Sequence, residues 1–400
     1  MSMPLEGIRV LDLTQFAFGP RTAAYLAEMG AQVIKIENNL SGEPIRWIDS
    51  LRQIPIGKFN AYFEQNHRGK KSMAINLRHE KGREVAYKLI ENADIFVTNL
   101  RMGGLERLGL DYDTLSRINP RLIYALGTGW GLRGPARDRG AFEVTGLASS
   151  GLLSGLVEPD APPPLCPPAM GDYAAATFLA YGIMLALFHR ERTGEGQMVH
   201  VSLLGSAMTI ASCGIDMSLA AGKDMLGASH DSELPLYNLF QTKDKRWIQL
   251  AMFQTDPVWP EFCQALDIEH LKDDPRFNSR EAIIENKVAL NSILNEVFLT
   301  KTLSEWTECL DRYDFIWSPV KRYTELTSDP QVLENEYIVS LDDPEVGEIK
   351  VVGITVELSK TPGRIGSKAP ELGQHTEEIL LELGYTWDDI VTMKEQNAII

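Results

Sequence analysis
One acid stands at the mouth of the longest apolar run in the chain. In "PPAMGDYAAATFLAYGIMLALFHRERTGEGQ", Asp172 follows a proline pair and precedes a segment that is apolar almost all the way round a helix. Two readings of it stand side by side. Aspartate is a good N-cap, its side chain accepting the first free amides of the helix. A carboxylate there is also placed for chemistry, because the helix dipole keeps it ionised while apolar walls strip its water, making it a nucleophile or base. Serine or threonine would cap as well without setting a full charge beside "AAATFLAYGIMLAL".

Positive charge gathers near glycine turns, in "NHRGKKS" (Arg68, Lys70, Lys71) and in "NLRMGGLERLGL" (Arg101, Arg107). Such clusters suit phosphates, and equally suit a solvated basic turn. Glu37 ends the run "AQVIKIE", where a dinucleotide fold places its ribose-binding acid. The preceding loop fails the pyrophosphate test: "TQFAFGPRTA" has Gly19 followed by Pro20, not G-x-G-x-x-G, so an αβ layer of a larger sheet is the better reading. His189 and His200 lack partners at Ser-His-Asp or metal spacing and read as structural. The cysteines, Cys166, Cys213, Cys263 and Cys309, are far apart and show no zinc spacing, so reduced thiols and no metal site are expected.

These residues need elements to hold them. "IRVLDLT", "QFAFGP", "RTAAYLAEMG" and "AQVIKIE" read as strand, loop, helix and strand, and the alternation continues with a helix at "EKGREVAYKLIENA" and strands at "DIFVTNL" and "RLIYALG". That order predicts an α/β fold with a mainly parallel, doubly wound sheet. Residues 130–170 are glycine- and proline-rich loops, the usual place for sites. "MVHVSLL" reads as a strand or the start of a helix. From 225 to 330 the texture changes, with a hairpin at "LFQTKDKRWIQLAM" followed by charged amphipathic helices, and is expected to form a second, smaller α+β domain. Residues 1–220 and 335–400 are expected to make the larger one, the latter with strands and two short helices.

The chain has 400 residues, 44% apolar and 24% charged, with net charge −16. It is expected to fold throughout, and the acidic balance disfavours nucleic acid or an anionic membrane as partner. The apolar run Tyr173 to Phe188 is shorter than a bilayer span, so a core helix is expected. With no basic-then-apolar leader before the first strand, a cytoplasmic address is expected.

With these residues in view, the chain resembles the class III coenzyme A transferases, the family that includes carnitine-related CoA transferases, formyl-CoA transferase and alpha-methylacyl-CoA racemases. The resemblance runs end to end and rests on "LEGIRVLDLTQFAFGP", "GAQVIKIE", "NHRGKKSMAINL", "ADIFVTNLRMGGLERLGL", "NPRLIYALGTGWG", "GDYAAATFLAYGIMLALFHRERTGEGQ" and "TPGRIGSKAPELGQHTEEIL" in that order. It implies a Rossmann-like large domain made from both termini, a smaller inserted domain and an interlocked dimer, either of like subunits or with a related unlike one. It places the nucleophile on Asp172 and coenzyme A contacts on Gln15, Phe16, Ala17, Lys70, Lys71, Asn99, Leu100, Arg101 and Arg107. Glu143, in "GAFEVTG", is a second candidate for the site. Three departures stand out: Asn38 replaces an arginine that meets the adenine end of coenzyme A, Leu100 replaces an aromatic, and a glycine-rich flap is not evident after residue 225.

The implied chemistry is covalent exchange of coenzyme A between a donor acyl-CoA and an acceptor acid, through an aspartyl anhydride and an aspartyl thioester. Amides at the helix start and in glycine-rich loops would stabilise the oxyanions. Activated groups of similar energy are exchanged, so no ATP, metal or redox cofactor is called for. The racemase branch pairs its aspartate with a histidine in the segment that reads "RDRGAFEVTG" here, where Phe142 takes about that place; a two-base proton transfer then lacks its partner. A non-catalytic acyl-CoA-binding subunit is the alternative of another class. Phe16, Phe18, Trp130 and Phe142 suggest a bulky or aromatic acceptor, such as the aromatic dicarboxylate benzylsuccinate, with succinyl-CoA as donor.

Overall fold
The computed structural model describes the chain except residues 1, 48–58, 159–160, 226, 228, 232, 254 and 344–345. It divides into two compact units, one of residues 1–153, 165–224 and 330–400, the other of 154–164 and 225–329. The short segment 154–164, just before Asp172 in sequence, thus goes with the second unit and not with its chain neighbours.

In the first unit the βα alternation gives β1 (Arg9–Leu13), α1 (Phe18–Glu28), β2 (Gln32–Glu37), α2 (Ala61–His67), β3 (Lys71–Ala74), α3 (Glu80–Glu91) and β4 (Ile95–Thr98). Then come α4 (Met102–Leu108), α5 (Tyr112–Ile118), β5 (Ile123–Thr128), α6 (Glu143–Ser149), α7 (Met170–Thr193), β6 (Met198–Ser202), α8 (Leu203–Ile210) and α9 (Ser212–Ala221). "MVHVSLL" therefore holds both a strand and a helix start. Helix α1 begins at Phe18 and not at Arg21, because Pro20 falls in the first turn, where its missing N–H costs nothing. The loop after β1 shrinks to residues 14–17.

The six strands pair in parallel in the order β3-β2-β1-β4-β5-β6. Alternation along the strands splits the core by face. Val10, Val33, Ile95, Val97 and Ile123 pack with Ala23 and Leu26 of α1 and with Ala175, Ala176, Leu179 and Ile183 of α7, whereas Leu11, Phe96 and Tyr124 pack with Val85 and Leu89 of α3. Helix α7 runs on past the apolar run, and its 24 residues are long and apolar enough by length and composition to cross a membrane. Its buried face joins the sheet core, as expected of a core helix.

The second unit holds the expected hairpin, β7 (Leu239–Gln241) and β8 (Trp247–Leu250), with β9 (Trp317–Pro319) as its third antiparallel strand. Helices α10 (Thr255–Ala265), α11 (Arg280–Glu285), α12 (Lys287–Phe298) and α13 (Leu303–Leu310) complete it around Phe240, Phe262 and Trp306. The chain then returns to the first unit with the hairpin β10 (Ile338–Asp343) and β11 (Gly347–Val352), and with α14 (Thr376–Glu382) and α15 (Trp387–Glu395). The return is tied to the β3 edge, where Ala74 N–H donates to Thr376 Oγ1 at 3.0 Å and Ile75 bridges Ile399.

Candidate active site
The strand order reverses direction between β1 and β4, so the loops after these strands part and leave a crevice at their carboxyl ends. Asn99, just after β4, ties the loop after β4 to the loop after β1. Its Oδ1 accepts Gln15 N–H at 2.7 Å and its Nδ2 donates to Gln15 O at 2.7 Å. Phe16 takes the left-handed conformation, φ 64°, uncommon for a bulky residue, and its N–H is held by Glu43 Oε1 at 2.7 Å. Behind this loop, buried Lys35 bridges Glu43 at 3.1 Å and donates to Thr14 O.

Above the crevice lies a cavity of about 820 Å³. Of the expected site residues it brings together Gln15, Phe16, Asn99, Leu100, Arg101, Arg107 and Asp172. It adds residues that composition and spacing had not singled out, among them Thr145, Arg137 and Arg139. Gly127, at the end of β5, also lines it, and a Cβ there would lie 2.7 Å from the Phe18 ring, so only glycine lets that ring lie against the strand.

Three expected contacts fall elsewhere. Ala17 is fully buried as the residue before α1. Lys70 is buried, donating to Asp12 Oδ2 at 2.7 Å and Pro20 O at 2.8 Å, and burial pulls its ammonium down to about 8. Lys71 pairs with Glu378 at 2.7 Å on α14. Arg68 is buried against Glu28 at 2.7 Å. In the "NHRGKKS" cluster, Arg68 and Lys70 are thus held in buried ion pairs, and Lys71 in a partly exposed one.

A second, smaller cavity of about 220 Å³ shares Gln15 and Leu100 with the first and adds Asn38, Asn76 and Arg78. Asn38 Oδ1 accepts Leu40 N–H at 2.9 Å and Ser41 N–H at 3.0 Å, so the residue standing in for an arginine shapes a turn. Glu37 is committed to Arg46 at 2.7 Å and Ser72 at 2.6 Å, which leaves it no ribose to bind.

Asp172 is not the N-cap of α7. That position is Ala169, in the left-handed region at φ 64°, and Asp172 is the third helical residue. The cap is Glu143, the first residue of α6: its Oε1 accepts Ala169 N–H at 2.6 Å, and its Oε2 accepts Gly171 N–H at 2.9 Å and Asp172 N–H at 3.3 Å. With those amides occupied, neither oxyanion stabilisation nor ionisation of Asp172 can draw on them. Burial first, and the Glu143 carboxylate second, push the Asp172 carboxyl up to about 7. The site thus holds a desolvated carboxyl poised near neutrality. Among the described residues no group of His, Cys, Asp and Glu is arranged to hold a metal ion. His200 donates to or accepts from Thr128 at 2.9 Å, as a structural histidine does.

Comparison with known proteins shows the family of the chain. The sequence model of CoA-transferase family III matches residues 5–376. The chain is 32% identical to the (R)-2-hydroxy-4-methylpentanoate CoA-transferase of Clostridioides difficile, over 99% of this chain and 100% of that protein. It is 31% identical to the succinyl-CoA:glutarate CoA-transferase of Homo sapiens, over 95% and 86%. It is 30% identical to the beta subunit of the succinyl-CoA–L-malate CoA-transferase of Chloroflexus aurantiacus, over 100% and 98%. The solved CAIB/BAIF family protein from Brucella suis superposes with TM-score 0.85 at 28% identity, covering 96% of this chain and 100% of that one. The chain belongs to CoA-transferase family III and is a CoA-transferase enzyme.

Proposed function
We propose that the protein moves coenzyme A from a donor acyl-CoA to an acceptor carboxylic acid through covalent intermediates on Asp172. The observation that carries this is a half-buried carboxyl whose helix amides are already capped by Glu143, lining the same cavity as Gln15, Phe16 and four arginines. The Asp172 carboxylate attacks the thioester carbonyl; the C–S bond breaks, leaving a mixed anhydride and free CoA thiolate. The thiolate attacks the aspartyl carbonyl and expels the donor carboxylate, leaving an aspartyl-CoA thioester. The acceptor carboxylate attacks that thioester, and the released thiolate then takes the acceptor's acyl group and frees Asp172. Each step exchanges one activated carbonyl for another, so the route draws on no ATP, metal or redox group.

Arg101, Arg107, Arg137 and Arg139 supply the positive charge the phosphates of coenzyme A require against a net charge of −16. Succinyl-CoA, named in two of the relatives, is the donor to test first, and an aromatic or dicarboxylic acid such as benzylsuccinate the acceptor. Exposed apolar side chains on α7 (Tyr181, Leu185, Phe188), α8 (Met208, Ile210) and α9 (Met217, Leu219) support assembly as an interlocked pair, with a second copy or a related unlike subunit.

Incubation with succinyl-CoA followed by hydroxylamine is expected to leave a hydroxamate on Asp172, read by mass spectrometry. No modification with any donor, together with exchange of an α-proton in deuterated water, would replace the transfer reading with a racemase one.

The attacking form is the carboxylate, so kcat/KM should rise with pH through about 7, where Asp172 ionises. Glu143→Gln keeps an amide-accepting oxygen but removes the like charge that helps raise Asp172. The rising limb of the profile is then expected to move to lower pH, while burial still holds it above the ordinary carboxylate range. An unmoved limb in this variant would show that Glu143 does not act on Asp172 through its charge.

A further inference from the structure
Two aromatic rings stand in the wall of the Asp172 cavity in an arrangement the transfer chemistry itself does not require. Phe142 is 59% exposed, and its ring meets that of Phe16 edge to face, with centroids 5.2 Å apart and planes at 86°. Both are fixed from behind. Phe16 is pinned by Glu43 in the left-handed conformation and packs on Ile45, Phe63 and Ala369. Phe142 directly precedes Glu143, the cap of the Asp172 helix, and its backbone is tied to Thr145, whose Oγ1 donates to Phe142 O at 2.7 Å. The loop before it is held by Trp130 Nε1 donating to Gly140 O at 3.3 Å.

An exposed phenylalanine loses apolar burial unless something covers it, and an edge-to-face pair leaves free ring surface on which a third ring can stack or pack edge-on. Both rings line the cavity that also holds Asp172, so a group entering that cavity can supply the cover. Phe142 directly precedes Glu143, whose carboxylate holds the first amides of the Asp172 helix, and Phe16, Phe142 and Asp172 line one cavity, so an acyl group carried on the Asp172 carboxyl sits in the space these rings wall.

We infer that Phe16 and Phe142 form the acyl-selecting wall of the site and that the acyl groups it favours carry a planar aryl ring, with Glu43 the positioning residue that fixes the Phe16 half. The inference rests on the transferase reading and narrows it, since an acceptor such as benzylsuccinate would be read through its phenyl group and not its second carboxylate. Phe16 in turn is a specificity residue held in a strained conformation, the usual place for strain to serve a site.

The test uses the full-length protein with phenylacetyl-CoA and butanoyl-CoA as competing donors, and reads the rate of hydroxamate formation on Asp172. The wild type is expected to favour the phenylacetyl group by about tenfold, the effect of one or two aromatic contacts. Phe142→Ala should bring the ratio of the two rates close to one, Phe142→Tyr should keep it, and Phe16→Gly, which adopts the same φ without strain, should lower it as Phe142→Ala does. Glu43→Ala should lower the ratio while Glu43→Gln, still able to accept Phe16 N–H, retains most of it. A wild type that shows no preference, or a Phe142→Ala variant that loses both donors equally, overturns the inference and leaves the transferase reading standing. Absence of any hydroxamate on Asp172 with either donor overturns both.

Discussion
Asp172→Ala and Asp172→Asn are each expected to lower transfer by at least about 10⁴-fold, the scale seen when a covalent nucleophile is removed. Steady-state assay with succinyl-CoA and loss of the hydroxamate on Asp172 measure it; substantial turnover by either variant would remove Asp172 from the mechanism. The structure also predicts what these substitutions do to the fold. Were Asp172 the helix cap, alanine would cost about 1 kcal/mol and asparagine nearly nothing. Since Glu143 holds the amides of Ala169, Gly171 and Asp172, both variants keep the cap.

Stability should then follow the charge. The Asp172 carboxyl is raised in the folded protein from an ordinary value of 3.8 to about 7, so the folded state binds more protons than the unfolded one between those values. Its contribution to stability is therefore intact below the lower value and is lost as pH rises through about 7. Asp172→Asn should match the wild type in thermal midpoint near pH 4 and exceed it at pH 8. A midpoint lower than the wild type at pH 8 would contradict the desolvation account.

The elements around this site were largely legible, and the reason is local. β1, β2, β4 and β5 are buried strands bounded by turns, and α1 and α3 carry their apolar residues at helical spacing, so each declares itself within a dozen residues. Asp172 was legible as a singular acid before an apolar helix. Its capping was misread because the carboxylate that does the capping lies 29 residues earlier, at Glu143. The partners of Lys70 and Lys71 were hidden for the same reason: their residue types suit a phosphate, but Asp12 and Glu378, with which they pair, lie 58 and 307 residues away. Arg137 and Arg139 carried no signal at all, sitting in a loop without periodicity that only the fold brings to the cavity.

Glu28→Ala is expected to be the most damaging substitution for stability in the first unit, by about 3–5 kcal/mol, because it strands two buried cations. Glu28 closes α1 and receives Arg21 Nη1 at 3.0 Å and Nη2 at 3.2 Å, together with Arg68 Nε at 3.0 Å and Nη2 at 2.7 Å. All three residues are 4% exposed or less. Without the carboxylate, Arg21 keeps Gln65 O and the face of the Tyr25 ring, and Arg68 keeps Val352 O, so neither guanidinium is fully satisfied. Glu28→Gln should cost less, since an acceptor remains while the charge is lost. A denaturant midpoint for Glu28→Ala within error of the wild type would show that water reaches the two arginines. The sharper comparison is the triple replacement Arg21→Met, Glu28→Leu, Arg68→Met, which removes every charge at once. It is expected to fall far less than Glu28→Ala alone, because the penalty lies in the unpaired ions and not in the absence of the pair. The same logic places the network's value in fixing how α1, α2 and the β10–β11 hairpin meet, and so in holding α1, the helix that follows the cavity-lining residues Gln15 and Phe16.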